Sequence, residues 1–144
     1  MAAVSAQTVR TRVRDRVATV SGLTESQVIL SPAADPSSVL DGRFSVTIGE
    51  SVPVGYRQKP GEGSLVNTLA TVQMVHRIKP KDQWTSADTA LSRTQSIVQA
   101  LMVKTGTWQE DLQVLWTGNR LEQLTGETLL TTITFRVQHL YALA

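Results

Sequence analysis

Valines at 9, 13, 17 and 20 recur at spacings of four, four and three, which puts them on one side of a helix. Gly22 is a natural stop beyond it. Valine is a modest helix former, so packing of this stripe must supply much of the stability. Gln27 to Leu30 reads as a short strand, and SPAADPSS (31–38) as a loop by its prolines and small polar residues. After the Asp41-Gly42 turn signal the period changes to two. Phe44, Val46, Ile48, Glu50, Val52, Val54 and Tyr56 hold one parity, which predicts a single long strand, kinked or bulged near Gly49. Pro53 lacks an N–H, so this part should lie at an edge or beyond the sheet. Ala70, Val72, Met74, His76 and Ile78 alternate again up to Pro80, giving a second long strand and hence a long hairpin.

Helical spacing then returns. Ala87, Ala90/Leu91, Thr94, Ile97/Val98 and Leu101 form a stripe, with Thr85 or Ser86 as the expected cap and Asp88 near the positive end of the helix dipole. Lys104 and Gly106 suit its C-terminus. Asp111 to Thr117 reads as a strand with Leu112, Val114 and Trp116 on one parity. Gly118-Asn119 and Thr125-Gly126 read as tight turns. Leu129 to Tyr141 closes the chain as a strand. The order predicts one α+β domain over 1–144: a mostly antiparallel sheet with a long β-hairpin and helices packed on one face.

Composition fits one ordinary core. Of 144 residues, 41% are hydrophobic and 18% charged, which points to a globular chain rather than a disordered one. The absence of cysteine excludes disulfides and thiolate metal sites. No apolar run is long enough to span a membrane as a helix, and a soluble, cytoplasmic protein is expected. The net charge of +2 is unevenly placed. Arg10, Arg12, Arg14 and Arg16 face only Asp15 within the first sixteen residues, leaving the remainder slightly acidic. They form two i,i+4 pairs beside the valine stripe. The plain reading is a solvated amphipathic helix; the functional one is an electrostatic contact with DNA or an acidic protein surface.

The richest candidate for ligand chemistry is VGYRQKPGEGSLV (54–66), with glycines among basic residues. It does not read as a phosphate cradle. Lys59 is followed by Pro60 instead of Ser or Thr, the proline removes a backbone donor, and a strand follows where the phosphate site needs a helix N-terminus. The glycines read as turn residues, and Arg57, Lys59 and Glu62 as exposed charges at a hairpin tip. His76 and His139 lie on apolar strand parities with no carboxylate at ligand spacing, so structural histidines are expected. Glu110 and Asp111 are adjacent and, on a strand, would point apart. For Trp84, Trp108 and Trp116 core or helix-end packing is the ordinary expectation, and exposure would suit an interface. No catalytic motif, metal set or cofactor loop emerges.

The series AQTVRTRVRDRVATV, RFSVTIG opening a long hairpin, NTLATVQMVHRI returning, SADTALSRTQSIVQALM, and a meander ending TTITFRVQHLYAL resembles the tail terminator (tail completion) proteins of long-tailed bacteriophages. The resemblance covers nearly the whole chain and rests on order and texture. It implies a non-enzymatic virion protein without a cofactor, assembled in the host cytoplasm and located in the tail or neck. Such a protein forms a homo-oligomeric ring, usually a hexamer, on the head-proximal end of the tail tube. Its partners would be its own copies, the tail tube protein and the head–neck connector, with no membrane and no specific nucleic acid. Arg10, Arg14, Arg57, Lys59 and Glu62 are the candidate assembly contacts. A head–tail connector or head-closure protein, and a small nucleic-acid-binding module using the arginine helix, are the competing expectations.

Overall fold

In the computed structural model, residues 2–26, 41–54, 63–103 and 108–141 are described. They form an α+β domain with the element order α1 (Ala6–Ala18), β1 (Thr24–Glu25), β2 (Arg43–Pro53), β3 (Ser64–Arg77), α2 (Gln83–Met102), β4 (Gln113–Thr125) and β5 (Thr128–Tyr141). One five-stranded sheet runs in the order β1-β2-β3-β5-β4. Among the named strands every pairing is antiparallel except the short parallel contact of β1 with β2.

Helix α1 starts at Ser5, whose side chain accepts from the Thr8 N–H, a cap that the sequence reading passed over. Val9, Val13 and Val17 are fully buried, as their spacing requires. Burial of each contributes roughly 1.5–3 kcal/mol. They meet Phe44, Val46, Ala70, Val72, Met74, Ile133, Phe135 and Val137 on one face of the sheet, where Ile97 and Leu101 of α2 also pack. Both helices therefore cover the same face, as expected.

Several local expectations need correction. Among the described residues a short strand stands at Thr24–Glu25, which the sequence did not suggest; the expected one at 27–30, the loop at 31–38 and most of the hairpin tip lie outside the described residues. The bulge on β2 falls where Gly49 suggested, but it changes faces. Ile48 pairs with Ala70, and the next partners are Ser51 with Thr68 and Val52 with Asn67. An extra residue in a strand inverts the alternation beyond it. Ser51 thus takes the helix-covered side, and Val52 and Val54 leave the face of Phe44 and Val46; both are exposed.

Helix α2 begins two residues before the expected cap, and its N-cap Asp82 makes no side-chain capping bond. The Ser86 hydroxyl instead donates to the Asp82 carbonyl and accepts from the Lys79 N–H. Asp88 consequently sits beyond the first turn. The helix ends at Met102 with Val103 as C-cap, while Lys104 and Gly106 lie outside the described residues. Gly118-Asn119 is not a turn. Strand β4 runs through it with a register shift between Trp116 and Gly118, and Gly118 takes φ 152°, which only glycine adopts freely. Glu110 and Asp111 precede β4 in a turn, with Asp111 at φ 62°. The turn between β4 and β5 at Thr125-Gly126 is as expected.

Candidate assembly surfaces

Three of the four α1 arginines end on backbone carbonyls elsewhere in the chain. Arg10 Nε donates to the Val46 carbonyl at 2.8 Å, Arg12 to the Glu110 carbonyl, and Arg16 Nε to the Ala100 carbonyl at 2.9 Å. Arg16 also lies over the Trp108 ring, 5.9 Å from its centre. Arg14 pairs with Asp15 at 2.8 Å and approaches Glu25 at 3.7 Å, while Arg10 reaches Glu25 at 3.5 Å. Its hydrogen bond to Asp15, with the charges of Asp15 and Glu25, raises the Arg14 pKa. The basic patch is thus largely a set of internal staples. Of the candidate contacts, Arg10 and Arg14 are brought together on Glu25; Arg57, Lys59 and Glu62 lie outside the described residues.

Arg10 has a further consequence for the sheet edge. Beyond its short pairing with β1, β2 borders the sheet. The Phe44 carbonyl there is taken by the Ser26 N–H and the Val46 carbonyl by Arg10. That leaves the part of β2 from Thr47 to Pro53 as an edge among the described residues. Among the described residues, strand β4 forms the opposite edge, thirteen residues long and with Leu115, Trp116 and Leu124 exposed. At its start, the N-terminal arm continues the edge: Val4 N–H donates to the Leu140 carbonyl at 2.8 Å, and Ala2 N–H to Asp111 Oδ1.

Both histidines are buried and structural in their contacts. His76 Nδ1 accepts from Arg93 Nη1 at 3.2 Å, so the proton resides on Nε2, 3.1 Å from Thr131 Oγ1. Burial, then the Arg93 charge, lower its pKa to about 4 against the opposing pull of Asp41. His139 Nδ1 donates to the Val4 carbonyl at 2.8 Å, so its Nε2 accepts from Thr68 at 2.6 Å. Thr68 in turn accepts from Ser51 at 2.7 Å. Burial lowers the His139 pKa despite the bonds to Val4 and Leu140. This relay ends on a carbonyl, not on a carboxylate, so it orients the ring without making it a stronger base. Among the described residues no group of three or more acidic, histidine or cysteine side chains could hold a metal. No described helix is long and apolar enough to cross a membrane.

The tryptophans divide between the two expectations. Trp108 is partly buried against the core, but Trp84 is 86% exposed and Trp116 44%. Trp84 borders a shallow cleft of about 220 Å³ with Ile78, Gln123 and Leu129. The opposite, helix-free face of the sheet carries Leu69, Arg136 and Leu115 in one row, set by the pairs Leu69–Arg136 and Arg136–Leu115. Rows of Asn67, Gln138, Gln113 and of Thr71, Thr134 flank it. That face is open in its middle; nearer the Asp41-Gly42 turn, Val75 and Leu130 are buried. No protein-family model matches the chain, and no curated protein matches it.

Proposed function

We propose that this protein is a structural component of a phage tail. It forms a ring at the head-proximal end of the tail tube, ends tube growth and offers the docking surface for the head connector. The observation that carries this reading is that, among the described residues, the sheet has two borders without a further strand on opposite sides, the bulged end of β2 and β4. Unpaired strand borders and exposed apolar side chains on both sides of one domain suit head-to-tail contacts, the kind from which closed rings are built. The resemblance in element order supplies the biological setting. The engagement of Arg10, Arg12 and Arg16 with backbone carbonyls weighs against a nucleic-acid module, because guanidinium groups so held are poorly placed to follow a phosphate backbone.

The test is electron microscopy of particles assembled without the protein. Overlong tails are expected. Tails of normal, uniform length that fail to join heads would overturn the reading in favour of a head-closure role. For the nucleic-acid alternative, a low-salt mobility shift with duplex DNA and with RNA is expected to show no complex.

A further inference from the structure

Asp88 on α2 and Arg136 on β5 stand on opposite sides of the sheet-and-helix layers and, like several other surface charges, form no hydrogen bond or ion pair with another described residue. Each is framed by exposed apolar groups. On α2, Trp84, Asp88 and Leu91 follow at i, i+4 and i+7 and so share one side of the helix, turned away from the stripe of Ala90, Thr94, Ile97 and Leu101. Trp84 and Leu91 are 86% and 52% exposed. On the sheet, Arg136 projects from the helix-free face between Leu69 and Leu115, 36% and 46% exposed, beside a shallow depression of about 250 Å³ lined by Asn67, Gln113 and Gln138.

The two frames match in size and sign. Seven residues of helix rise about 10 Å from Trp84 to Leu91. Two strand spacings separate Leu69 from Leu115 by about 10 Å as well. A carboxylate set between two apolar side chains is the complement of a guanidinium set between two others. Charge pairs enclosed by apolar neighbours are the arrangement found at energetic centres of interfaces, where arginine and tryptophan are enriched.

We propose that the outer side of α2 in one copy of this chain docks on the helix-free sheet face of the next copy, with Asp88 paired to Arg136 and Trp84 and Leu91 set against Leu69 and Leu115. The contact joins two different surfaces, so it is head-to-tail and propagates to a ring or a filament according to its rotation. It rests on the two side-chain frames and not on the phage-tail reading. It uses a face of the sheet, whereas strand addition would use a border.

The experiment is sedimentation velocity of the purified full chain over a concentration series, with Asp88→Arg, Arg136→Glu and the double variant. Both residues are exposed, and the thermal midpoints of all variants are expected to match the native chain. Native protein is expected to self-associate. Each single reversal should weaken association at least about tenfold, equivalent to 1.4 kcal/mol, and the double reversal should restore it. A native chain that stays monomeric up to roughly 1 mM overturns the proposal. So does a double variant as weak as the singles, which would mean that the two groups meet other partners. Normal tail termination by the single variants would leave the phage-tail reading in place while removing this contact from it; restored self-association without any effect on tail length would do the reverse.

Discussion

Arg93 clasps the Asp41 carboxylate with both terminal nitrogens, at 2.9 and 3.1 Å, and thereby ties the middle of α2 to the turn that opens β2. The same guanidinium donates to buried His76, and Asp41 also accepts from the Arg77 N–H at 3.1 Å. The sequence shows each of these residues without any sign that they meet.

This cluster makes stability depend on pH. His76 is held neutral, with a folded pKa of about 4 against 6.5 when free. Its contribution is therefore complete above pH 6.5 and is lost as pH falls from 6.5 through 4, with a total of roughly 3 kcal/mol. His139, also lowered, acts in the same direction. Burial alone would raise the Asp41 carboxyl, but the bonds from Arg93 and Arg77 and the Arg93 charge outweigh it and leave its pKa lowered. Its contribution is present above pH 3.8 and fades as pH drops below that value. Urea unfolding at stepped pH should show a steep decline from 6.5 to 4, and His76→Gln should flatten it. An equal slope in the variant would show that His76 is not the titrating group.

Gly42 should tolerate no side chain. Its φ is 76°, and a Cβ there would stand 2.2 Å from the Gly22 carbonyl oxygen. Backbone strain of about 1–2 kcal/mol adds to a clash that only a backbone shift can relieve. Gly42→Ala is expected to lower the thermal midpoint strongly. Gly126→Ala, with nothing within 4 Å of its added carbon, should leave stability within about 0.5 kcal/mol. Equal midpoints for the two variants would contradict the close approach of the two turns.

Arg10 and Arg14 should separate in a stability measurement although both touch Glu25. Arg10→Ala leaves the Val46 carbonyl without its charged donor and should cost roughly 1.5–3 kcal/mol. Arg14→Ala removes only solvent-exposed ion pairs and is expected to leave the denaturation midpoint where it was. A reversed order would mean that the staple to β2 is unimportant.

Thr68→Val keeps the volume of a buried side chain and deletes its hydroxyl. The Nε2 of His139 and the hydroxyl of Ser51 both lose their partner. A loss of about 1–3 kcal/mol is expected, since a buried acceptor left unpaired keeps its full desolvation cost. Hydrogen exchange at Val4 should also quicken, because His139 holds the arm that contains it. Unchanged exchange would separate the relay from the arm.

The regular elements were legible because periodicity is local: the valines of α1, the alternation of β2 and β3, and the stripe of α2 all state their partner surface within a few residues. The bulge was visible as a kink near Gly49, but its inversion of faces was not, because apolar residues lie on the even positions both before and after it. Gly118 was read as a turn since glycine followed by asparagine serves turns and bulges alike. The arginines misled for a different reason. Their acceptors are main-chain carbonyls, which every residue carries, at 36 to 98 residues' distance in the chain. Only the fold selects among them. The exposure of Trp84 was equally hidden, because a tryptophan's hydrophobicity does not say whether its helix end is covered.

The arm ahead of α1 imposes an order on folding. Val4 is fixed by the ring of His139 and by the Leu140 amide plane, 135 or more residues away. During synthesis this segment emerges before its anchors, which follow 135 or more residues later. Local hairpin and helix contacts can form while the chain grows, but the bonds between this arm and β5 must wait for β5. Until then the α1 valines lack the strand that completes their surface, and the nascent chain passes through a stage in which an apolar stripe is available to chaperones or to neighbouring chains. Release from that stage therefore comes only once β5 has joined the sheet.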